Sequence, residues 1–425
     1  MEKVVIVEGL RSPYIKAGTD FKNMSATDLG RIVLRELLER TGLSPGQIDE
    51  VIIGNVSQPV DSANPSRIVA LKAGLPKHIP AFTVNRNCAS GMQAVTSACM
   101  QIIAGESEVV VAGGIESMSQ IPFYFTPELQ DIITRFQRAR SLPQRLAVLS
   151  EIRTPHLKPV IGVMLGLTDP FCGKNMGQTA EILARDFSIT REEQDQFSLM
   201  SHQRAAAAKE RLSEEIIPFM PPPSYKPVAE DNGVRASQTM EALGKLKPVF
   251  DRHYGTVTAG NASQLTDGAA MLLVMGEKKA KDLGYEPLGY IKGFAYAGLD
   301  PSRMGLGPVF AMEKVFEKTR IKLKDIQLME INEAFAAQVI ACERAFESKD
   351  FASEHFGKKR ALGKLNRDIL NVNGGGIALG HPVGSTGARL LLTLLKEMKR
   401  RDLTLGLASL CIGGGQGGAV ILERV

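Results

Sequence analysis

A cysteine at a predicted strand-to-helix junction is the residue of this chain whose surroundings point most directly to chemistry. Cys88 lies in the run Asn-Arg-Asn-Cys-Ala-Ser-Gly-Met-Gln. The pattern of residues 79–84 predicts a strand. After Cys88, apolar side chains recur at helical spacing as far as Ile103, which predicts a helix. Unpaired backbone N–H groups at a helix N-terminus favour an anion. We therefore expect a lowered pKa and a nucleophilic thiol at Cys88.

Three further segments could supply partners for this thiol. His381 lies in a glycine-rich run before a predicted helix over 388–398, where an imidazole can transfer protons. Cys411 precedes a glycine turn whose backbone N–H groups can stabilise an oxyanion. Asn332 begins the motif Asn-Glu-Ala-Phe after an apolar strand. Each alone fits a structural role, such as a helix cap at Asn332, but their joint presence favours a catalytic set.

The composition indicates a large globular protein and excludes several classes of function. The chain has 425 residues, of which 44% are hydrophobic and 23% charged, enough for more than one domain. Five irregularly spaced cysteines predict free thiols, a reducing compartment and no metal site. No signal peptide and no membrane-spanning run is recognisable, which favours a cytoplasmic location. The net charge of +5 suits an anionic ligand, and no nucleic-acid motif or dinucleotide fingerprint is present.

The order of predicted elements indicates an α/β architecture with an internal duplication. Strands alternate with helices along the chain. Residues 43–54 and 321–332 both run from a helix through a loop, an isoleucine and an acidic residue into a strand. A duplicated α/β half would place Cys88 and His381 at related positions, facing each other across a pseudo-dyad.

The motifs together resemble the thiolase family, and the resemblance covers nearly the whole chain. The matching segments, in chain order, are Asn-x-Cys-Ala-Ser-Gly around Cys88, Gly255–Ser263, Met304–Pro308, Asn332–Phe335, Gly380–Pro382 and Cys411–Gly415. The resemblance implies two duplicated α/β halves stacked as a five-layered αβαβα sandwich, plus a loop domain. The expected boundaries are 1–120 and 264–286 for the N-terminal half, 121–263 for the loop domain and 287–425 for the C-terminal half.

The same resemblance implies an acyltransferase that cleaves 3-ketoacyl-CoA into acetyl-CoA and a shortened acyl-CoA. Cys88 would carry the acyl group, His381 would act as base, and Cys411 would protonate the leaving carbanion. One oxyanion site would use His381 and a water held by Asn332, and the other the backbone N–H groups of Cys88 and Gly413. Coenzyme A is a substrate in this scheme, and no metal or redox cofactor is implied.

The resemblance also implies a set of contacts for coenzyme A and the acyl chain. Arg235 is the candidate for the nucleotide end of coenzyme A, and Ser263 for its pantetheine arm. The remaining candidates lie in or beside family motifs and are Met176, Ala259, Met304, Ala334 and Phe335.

Two departures from the simplest thiolase pattern bear on acyl chain length. The polar stretch 345–368 resembles an insertion in the thiolase subunits of fatty-acid oxidation complexes. Asn175 stands where acetoacetyl-specific biosynthetic thiolases usually carry histidine, whereas Met304 resembles that biosynthetic branch. Degradation in β-oxidation is the favoured function. The alternatives are an acetoacetyl-CoA thiolase working in condensation and, more remotely, a non-catalytic acyl-CoA-binding subunit. A ketoacyl synthase is disfavoured because it has no second catalytic cysteine.

Oligomerisation is expected, since thiolases are dimers or tetramers, and a hydratase/dehydrogenase subunit is a further candidate partner. Residues 127–140 predict an amphipathic helix with arginines nearby. Such a helix could lie on a membrane, cover an acyl tunnel or contact a partner. Packing on its own protein is the favoured interpretation.

Overall fold

The computed structural model describes residues 2–424, in which strands and helices alternate. The strands are β1 (Val4–Arg11), β2 (Ile15–Lys16), β3 (Glu50–Gly54), β4 (Ala81–Val84), β5 (Val109–Ser117), β6 (Phe123–Tyr124), β7 (Val160–Ile161), β8 (Thr266–Gly276), β9 (Gly289–Gly298), β10 (Leu328–Ile331), β11 (Leu405–Ile412) and β12 (Gln416–Glu423).

The helices of the first part of the chain are α1 (Ala26–Thr41), α2 (Pro65–Lys72), α3 (Ser90–Ala104), α4 (Pro127–Arg138), α5 (Leu142–Leu149), α6 (Gly162–Gly166), α7 (Met176–Asp186), α8 (Arg191–Ala207), α9 (Lys209–Ser213) and α10 (Met240–Gly244). Those of the second part are α11 (Glu277–Asp282), α12 (Gly307–Thr319), α13 (Ala336–Glu347), α14 (Lys349–Phe356), α15 (Gly376–Leu379) and α16 (Val383–Arg401). Short 3₁₀ turns lie at Pro45–Gln47, Met118–Gln120, Thr154–Leu157, Pro301–Leu306 and Leu323–Asp325.

Residues 2–120 and 169–424 form one compact unit, and residues 121–168 form another. The expected division into two halves and a loop domain over 121–263 stays a prediction.

The strand order of the larger unit confirms the predicted duplication. In the first repeat β3 lies between β4 and β5 and runs parallel to both, and β8 pairs antiparallel with β5 and β1. In the second repeat β10 runs parallel to β11 and forms a parallel bridge to Leu370, and β12 pairs antiparallel with β11 and β9. The repeats join where β1 meets β9, at the pairs Val5–Tyr290 and Ile6–Gly289.

Five layers result from this arrangement, because each repeat has one outer and one inner helical face. Helices α1 and α2 share an apolar core with the outer face of the strands of the first repeat. Helices α12 and α13 share a second core with the outer face of the strands of the second repeat. Helices α3 and α16 lie between the strands of the two repeats, in a core that contains residues from the strands of both repeats. Strands such as β5 and β8 are buried along their whole length, as continuous apolar runs predict.

Glycines allow the two central helices to approach each other closely. A Cβ atom on Gly91 of α3 would lie 2.8 Å from the backbone nitrogen of Ala388, and one on Gly387 of α16 would lie 2.4 Å from that of Met92. Only hydrogen fits at these positions. The first turns of α3 and α16 therefore lie side by side, and so do the loops that lead into them.

The predicted helix over 127–140 is present as α4. Leu129 and Ile132 of α4 are buried, in agreement with packing on its own protein. Other large apolar side chains of the unit 121–168 are exposed, namely Phe123, Tyr124, Phe125, Leu142, Leu146, Leu149, Leu157, Ile161, Met164 and Leu165. No helix within residues 2–424 is long and apolar enough to cross a membrane.

The polar stretch after α13 is folded. Its first part forms α14, which is capped by Ser348 and ends at Gly357 with φ of 65°. The Phe351 ring contacts that of Phe310 on α12 edge-on, with ring centroids 6.0 Å apart.

Candidate active site

Cys88 lies in the loop between β4 and α3, two residues before the helix starts. Its neighbour Asn87 has a positive φ of 43°, a backbone conformation that is rare for residues other than glycine. The Asn87 amide donates a hydrogen bond of 2.7 Å to the carbonyl of Gly413. Ser90 Oγ accepts from the backbone N–H of Arg86 and donates to the Asn87 carbonyl, at 2.9 and 2.7 Å. Side-chain bonds thus fix the strained loop that presents the thiol.

Cys411 lies near the end of β11, directly before the turn that leads to β12. It is buried and pairs with Gly417 across the hairpin. Gly414 and Gly415 in the turn have φ of 87° and 76°. Glycine adopts such positive φ values readily, which is why it occupies both positions. The turn places the backbone N–H of Gly413 against the Cys88 thiol, and the Cys411 thiol is close enough to Cys88 for the two to interact electrostatically.

His381 lies between α15 and α16, after Gly380 with φ of 101°. Its Nδ1 lies 2.6 Å from Oγ1 of Thr386, in the first turn of α16. Its Nε2 lies 3.5 Å from Nδ2 of Asn332, which directly follows β10. Asn332 Oδ1 is buried without a hydrogen-bond partner in the described chain.

The four segments singled out by sequence converge in two pairs. Gly413 and Cys411 lie at the Cys88 thiol, and Asn332 lies at the His381 imidazole. The close approach of α3 and α16 brings the pairs to one region, because Cys88 precedes the first helix by two residues and His381 precedes the second by two.

Burial keeps the reactive groups in their neutral forms. It raises the pKa of the Cys88 thiol, and the backbone N–H groups of Gly413 and Cys88 offset this only in part. Burial also lowers the pKa of His381 to about 3, with a smaller contribution from the positive charge of Arg389. The expected lowering of the Cys88 pKa by the helix N-terminus is therefore wrong, because loss of water outweighs it. Both shifts favour a thiol and a neutral imidazole in the substrate-free site.

The same effect is larger at the second cysteine. Burial, and then the neighbouring Cys88 and Cys342, raises the pKa of Cys411 well above its usual value. This thiol therefore stays protonated at neutral pH and can act as a proton donor.

The candidate substrate contacts fall into three groups. The backbone N–H of Ser263 donates to the carbonyl of Ala334 at 2.9 Å, and the preceding residue bridges Phe335. Met304 is buried, and a Cβ atom on Gly413 would lie 3.4 Å from Sδ of Met176. Of these residues, Met176, Met304, Ala334 and Phe335 pack in or against the apolar cluster that contains Cys411.

Arg235 and Ala259 are exposed. The backbone N–H of Arg235 donates to Nδ1 of the buried His202 at 3.3 Å. Asn175 caps α7, accepting from the backbone N–H of Gln178 at 2.9 Å.

Three residues of the site escaped the sequence analysis, although two of them, Asn87 and Glu333, lie inside the motifs used there and the third, Thr386, follows His381 by five residues. Asn87 ties the nucleophile loop to the Gly413 turn, and Thr386 contacts the imidazole. The sequence offered one indication of both residues, namely that each lies close to a candidate reactive residue along the chain. Whether such a neighbour makes a contact depends on the direction of its side chain, which the sequence does not show.

The third is Glu333, whose carboxylate joins segments distant in sequence. It accepts hydrogen bonds from Ser201 Oγ, Asn371 Nδ2 and the backbone N–H of Ile377, at 2.6, 2.9 and 3.2 Å. It therefore fixes the glycine loop that precedes His381. Within residues 2–424 no group of three or more acidic, histidine or cysteine side chains could hold a metal ion.

Comparisons with known proteins agree with this architecture. A model of the thiolase N-terminal domain matches residues 4–278, and one of the thiolase C-terminal domain matches residues 285–424. A 3-ketoacyl-CoA thiolase of Pseudoalteromonas translucida (strain TAC 125) is 41% identical, over 99% of this chain and 97% of the relative. One from Yersinia enterocolitica (serotype O:8 / biotype 1B, strain NCTC 13174 / 8081) is 40% identical over the same shares.

Solved structures resemble the whole chain. The Bacillus anthracis acetyl-CoA acetyltransferase is 42% identical, with a TM-score of 0.87 over 100% of this chain and 99% of that one. The human mitochondrial 3-ketoacyl-CoA thiolase in complex with CoA is 36% identical, with a TM-score of 0.86 over 100% of this chain and 98% of that one. Both domains and both repeats are matched, and the chain therefore belongs to the thiolase family.

Proposed function

We propose that this thiolase cleaves 3-ketoacyl-CoA with coenzyme A, in the degradation of fatty acids by β-oxidation. The observation that carries the proposal is the hydrogen bond of 2.7 Å by which Asn87, beside Cys88, holds the Gly413 turn that follows Cys411. A nucleophile, a second thiol and an oxyanion donor are the groups that carbon–carbon cleavage by a thiol needs. The names of the relatives, 3-ketoacyl-CoA thiolases, support the substrate class.

In the first step the neutral His381 takes the proton of Cys88 as the sulfur attacks the 3-keto carbon. The lowered pKa of His381 favours a proton transfer that accompanies attack over one that precedes it. The carbon–carbon bond then breaks, and the acyl group stays on Cys88 as a thioester. The departing enolate of acetyl-CoA takes a proton from Cys411.

Before the second step the proton on His381 passes to the Cys411 thiolate, so that both groups are neutral again. In the second step a coenzyme A thiol gives its proton to His381 and attacks the acyl–Cys88 thioester. The shortened acyl-CoA leaves, and the Cys88 sulfur regains a proton. The Gly413 and Cys88 N–H groups would hold one oxyanion, and His381 with a water on Asn332 the other. The free, buried Oδ1 of Asn332 supports a water at that place.

Coenzyme A serves as substrate, and the proposed steps require no further cofactor. We assign its nucleotide end to Arg235 and its pantetheine arm to Ser263 and Ala259. Met176, Met304, Ala334 and Phe335 would line the acyl side, since they pack in or against the apolar cluster that contains Cys411.

Substitution of the two cysteines tests the proposal. Cys88→Ala should abolish the acyl-enzyme, because no other thiol can hold the thioester. Cys411→Ala should still be acylated at Cys88 by acetyl-CoA but should lose exchange of the acetyl methyl protons with water, because the acid–base group is gone. Mass spectrometry and proton exchange followed by NMR measure the two effects.

Cys172→Ala is a matched control, since Cys172 is a free, half-buried thiol. It should retain both activities. Full thiolysis by Cys88→Ala would refute the assignment, and absence of an acyl–Cys88 adduct in the unaltered chain would favour the non-catalytic acyl-CoA-binding alternative.

Acetoacetyl-CoA synthesis by condensation is the second candidate, favoured by the similarity to an acetyl-CoA acetyltransferase. It would run the same steps in reverse, with Cys411 as base. Rates of thiolysis across a ladder of 3-ketoacyl-CoA lengths distinguish the two, since a short-chain enzyme would cleave only acetoacetyl-CoA efficiently.

We also propose that the chain forms a homo-oligomer through the free side of β4. This strand pairs with β3, and its other edge has no partner strand within the described chain. Unpaired edges favour association with another strand. On the neighbouring α3, Met100 and Ile103 are 49% and 40% exposed, which is unusual for large apolar side chains.

We propose a cytoplasmic location, because all five cysteines are free, as in a reducing compartment.

The exposed apolar side chains of the unit 121–168 suit contact with another protein, and a hydratase/dehydrogenase subunit is the candidate. Co-purification of the two subunits and fractionation of cells test these points.

A further inference from the structure

The hydroxyl of Thr386 directly faces the imidazole of His381. Its Oγ1 lies 2.6 Å from Nδ1, and both side chains are buried. A neutral imidazole carries its hydrogen on either Nδ1 or Nε2, and only the nitrogen without hydrogen can accept a proton. The partner of Nδ1 therefore decides which face of His381 is basic.

The remaining contact of the hydroxyl indicates where its own hydrogen points. Thr386 Oγ1 donates to the carbonyl of Pro382, at 3.0 Å. A hydroxyl has one hydrogen, so an Oγ1 that donates to this carbonyl must accept from Nδ1. The imidazole hydrogen then lies on Nδ1, and Nε2 keeps its lone pair towards Asn332.

The opposite arrangement forms fewer hydrogen bonds. If the hydroxyl donated to Nδ1, it would give up the Pro382 carbonyl, and an Nε2–H group would need an acceptor. The nearest is the Asn332 amide at 3.5 Å, whose Oδ1 is buried and unpartnered and would have to turn towards the ring. The first arrangement has one more short hydrogen bond and is favoured for that reason.

We propose that Thr386 is a positioning residue that holds the hydrogen of His381 on Nδ1 and so leaves Nε2 free as the base. In this role Thr386 acts through His381 rather than on the reacting atoms. Its importance for rate rests on the proposed function, in which Nε2 takes the proton of Cys88. The tautomer itself is a property of the substrate-free protein.

The chain offers a matched control next to this residue. Ser385 is also buried in the first turn of α16, but its Oγ lies 2.8 Å from the hydroxyl of Tyr14 and bonds to that group. Ser385→Ala therefore removes a buried hydroxyl of the same turn without altering the imidazole.

The test compares Thr386→Val, Thr386→Ser and Ser385→Ala in the full chain. Two-bond ¹⁵N–¹H NMR of the imidazoles reports the tautomer, with His381→Asn identifying the His381 signals. Mass spectrometry measures how fast acetyl-CoA acylates Cys88, a step that transfers the acetyl group to sulfur and returns the proton to the coenzyme A thiol.

We expect hydrogen on Nδ1 in the unaltered chain, in Thr386→Ser and in Ser385→Ala. Thr386→Val should move hydrogen to Nε2 and slow acylation roughly 10- to 100-fold, the range seen when a group that orients a histidine is removed. Hydrogen on Nε2 in the unaltered chain would overturn the proposal. So would unchanged tautomer and rate in Thr386→Val, or an equal loss in Ser385→Ala.

Failure of the proposed function gives a different result, namely an unaltered chain that is never acylated at Cys88 while its His381 tautomer can still be read. If Thr386→Val does not fold, the spectrum of the unaltered chain and rescue by Thr386→Ser decide the question.

Discussion

Burial of ionisable side chains controls proton chemistry in this molecule at the scale of single residues. The imidazole of His381 and the thiols of Cys88 and Cys411 are all shifted towards their uncharged forms by loss of water. In the proposed reaction, charge then develops at these groups only as bonds change. The hydrogen bonds of Gly413 with Cys88 and of Thr386 with His381 involve groups that are neutral at rest.

The buried His202 provides a test of this effect on stability. Burial, and then the nearby charge of Arg235, lowers its pKa from 6.5 to about 4. Between these values the unfolded chain binds the extra proton, so stability falls as pH falls from 6.5 to 4 and is unaffected by this group above 6.5. We expect His202→Asn, which keeps an acceptor for the Arg235 N–H, to remove up to about 1.4 kcal/mol per pH unit from this slope.

Urea unfolding between pH 4.5 and 7.5 measures the slope. His78→Asn, at an exposed position, is the control. Equal slopes in the His202 variant and the unaltered chain would contradict the assignment of this proton to His202.

At the scale of elements, the contact between α3 and α16 determines where Cys88 and His381 lie. Each residue precedes its helix by two positions, and the glycines at the contact let the first turns touch. The strained loop at Asn87 and the turn at Gly380, with φ of 43° and 101°, then direct the two side chains.

Gly387→Ala tests this dependence, because two effects of the substitution oppose each other. Alanine is the better helix former by up to about 1 kcal/mol. Its Cβ, however, would lie 2.4 Å from the backbone nitrogen of Met92, which cannot move without shifting α3. We expect net destabilisation of about 1–3 kcal/mol, typical of overpacking, together with slower acylation of Cys88.

Thermal or urea unfolding and the acylation assay provide the measurement. Gly46→Ala is the control, since nothing lies within 4 Å of the added methyl group there. A Gly387→Ala protein as stable and active as the unaltered chain would show that the close approach of the helices is not required.

At the scale of the whole molecule, the sheet formed by the two repeats ends at β4 on one side. The other end differs, because β10 has the bridge to Leu370 beyond it. A strand with one free edge, beside the exposed Met100 and Ile103 of α3, is the surface that we assign to association between copies.

Met100→Glu should weaken this association, because a carboxylate would be buried against an apolar surface of the other copy. Sedimentation velocity should show a smaller species at concentrations where the unaltered chain is oligomeric. Tyr254→Glu, at a side chain that is 87% exposed, should leave the oligomer intact. A monomeric unaltered chain, or an unchanged Met100→Glu oligomer, would contradict the assignment.

The sequence by itself determined the family and the α/β repeats, and it named the candidate reactive residues. Apolar periodicity is a local property, so the strand before Cys88 and the helix after it could both be predicted. The motifs of Cys88, His381, Cys411 and Asn332 name chemical types, and residue type is written in the sequence.

Only the tertiary structure decided how these groups interact and ionise. Sequence reasoning expected a low pKa at Cys88 from the helix N-terminus, but the pKa depends on the atoms that exclude water, and these come from distant segments. The contacts of Thr386 with His381 and of Asn87 with Gly413 likewise depend on side-chain direction. Burial and direction arise when separate elements pack, so spacing along the chain does not encode them.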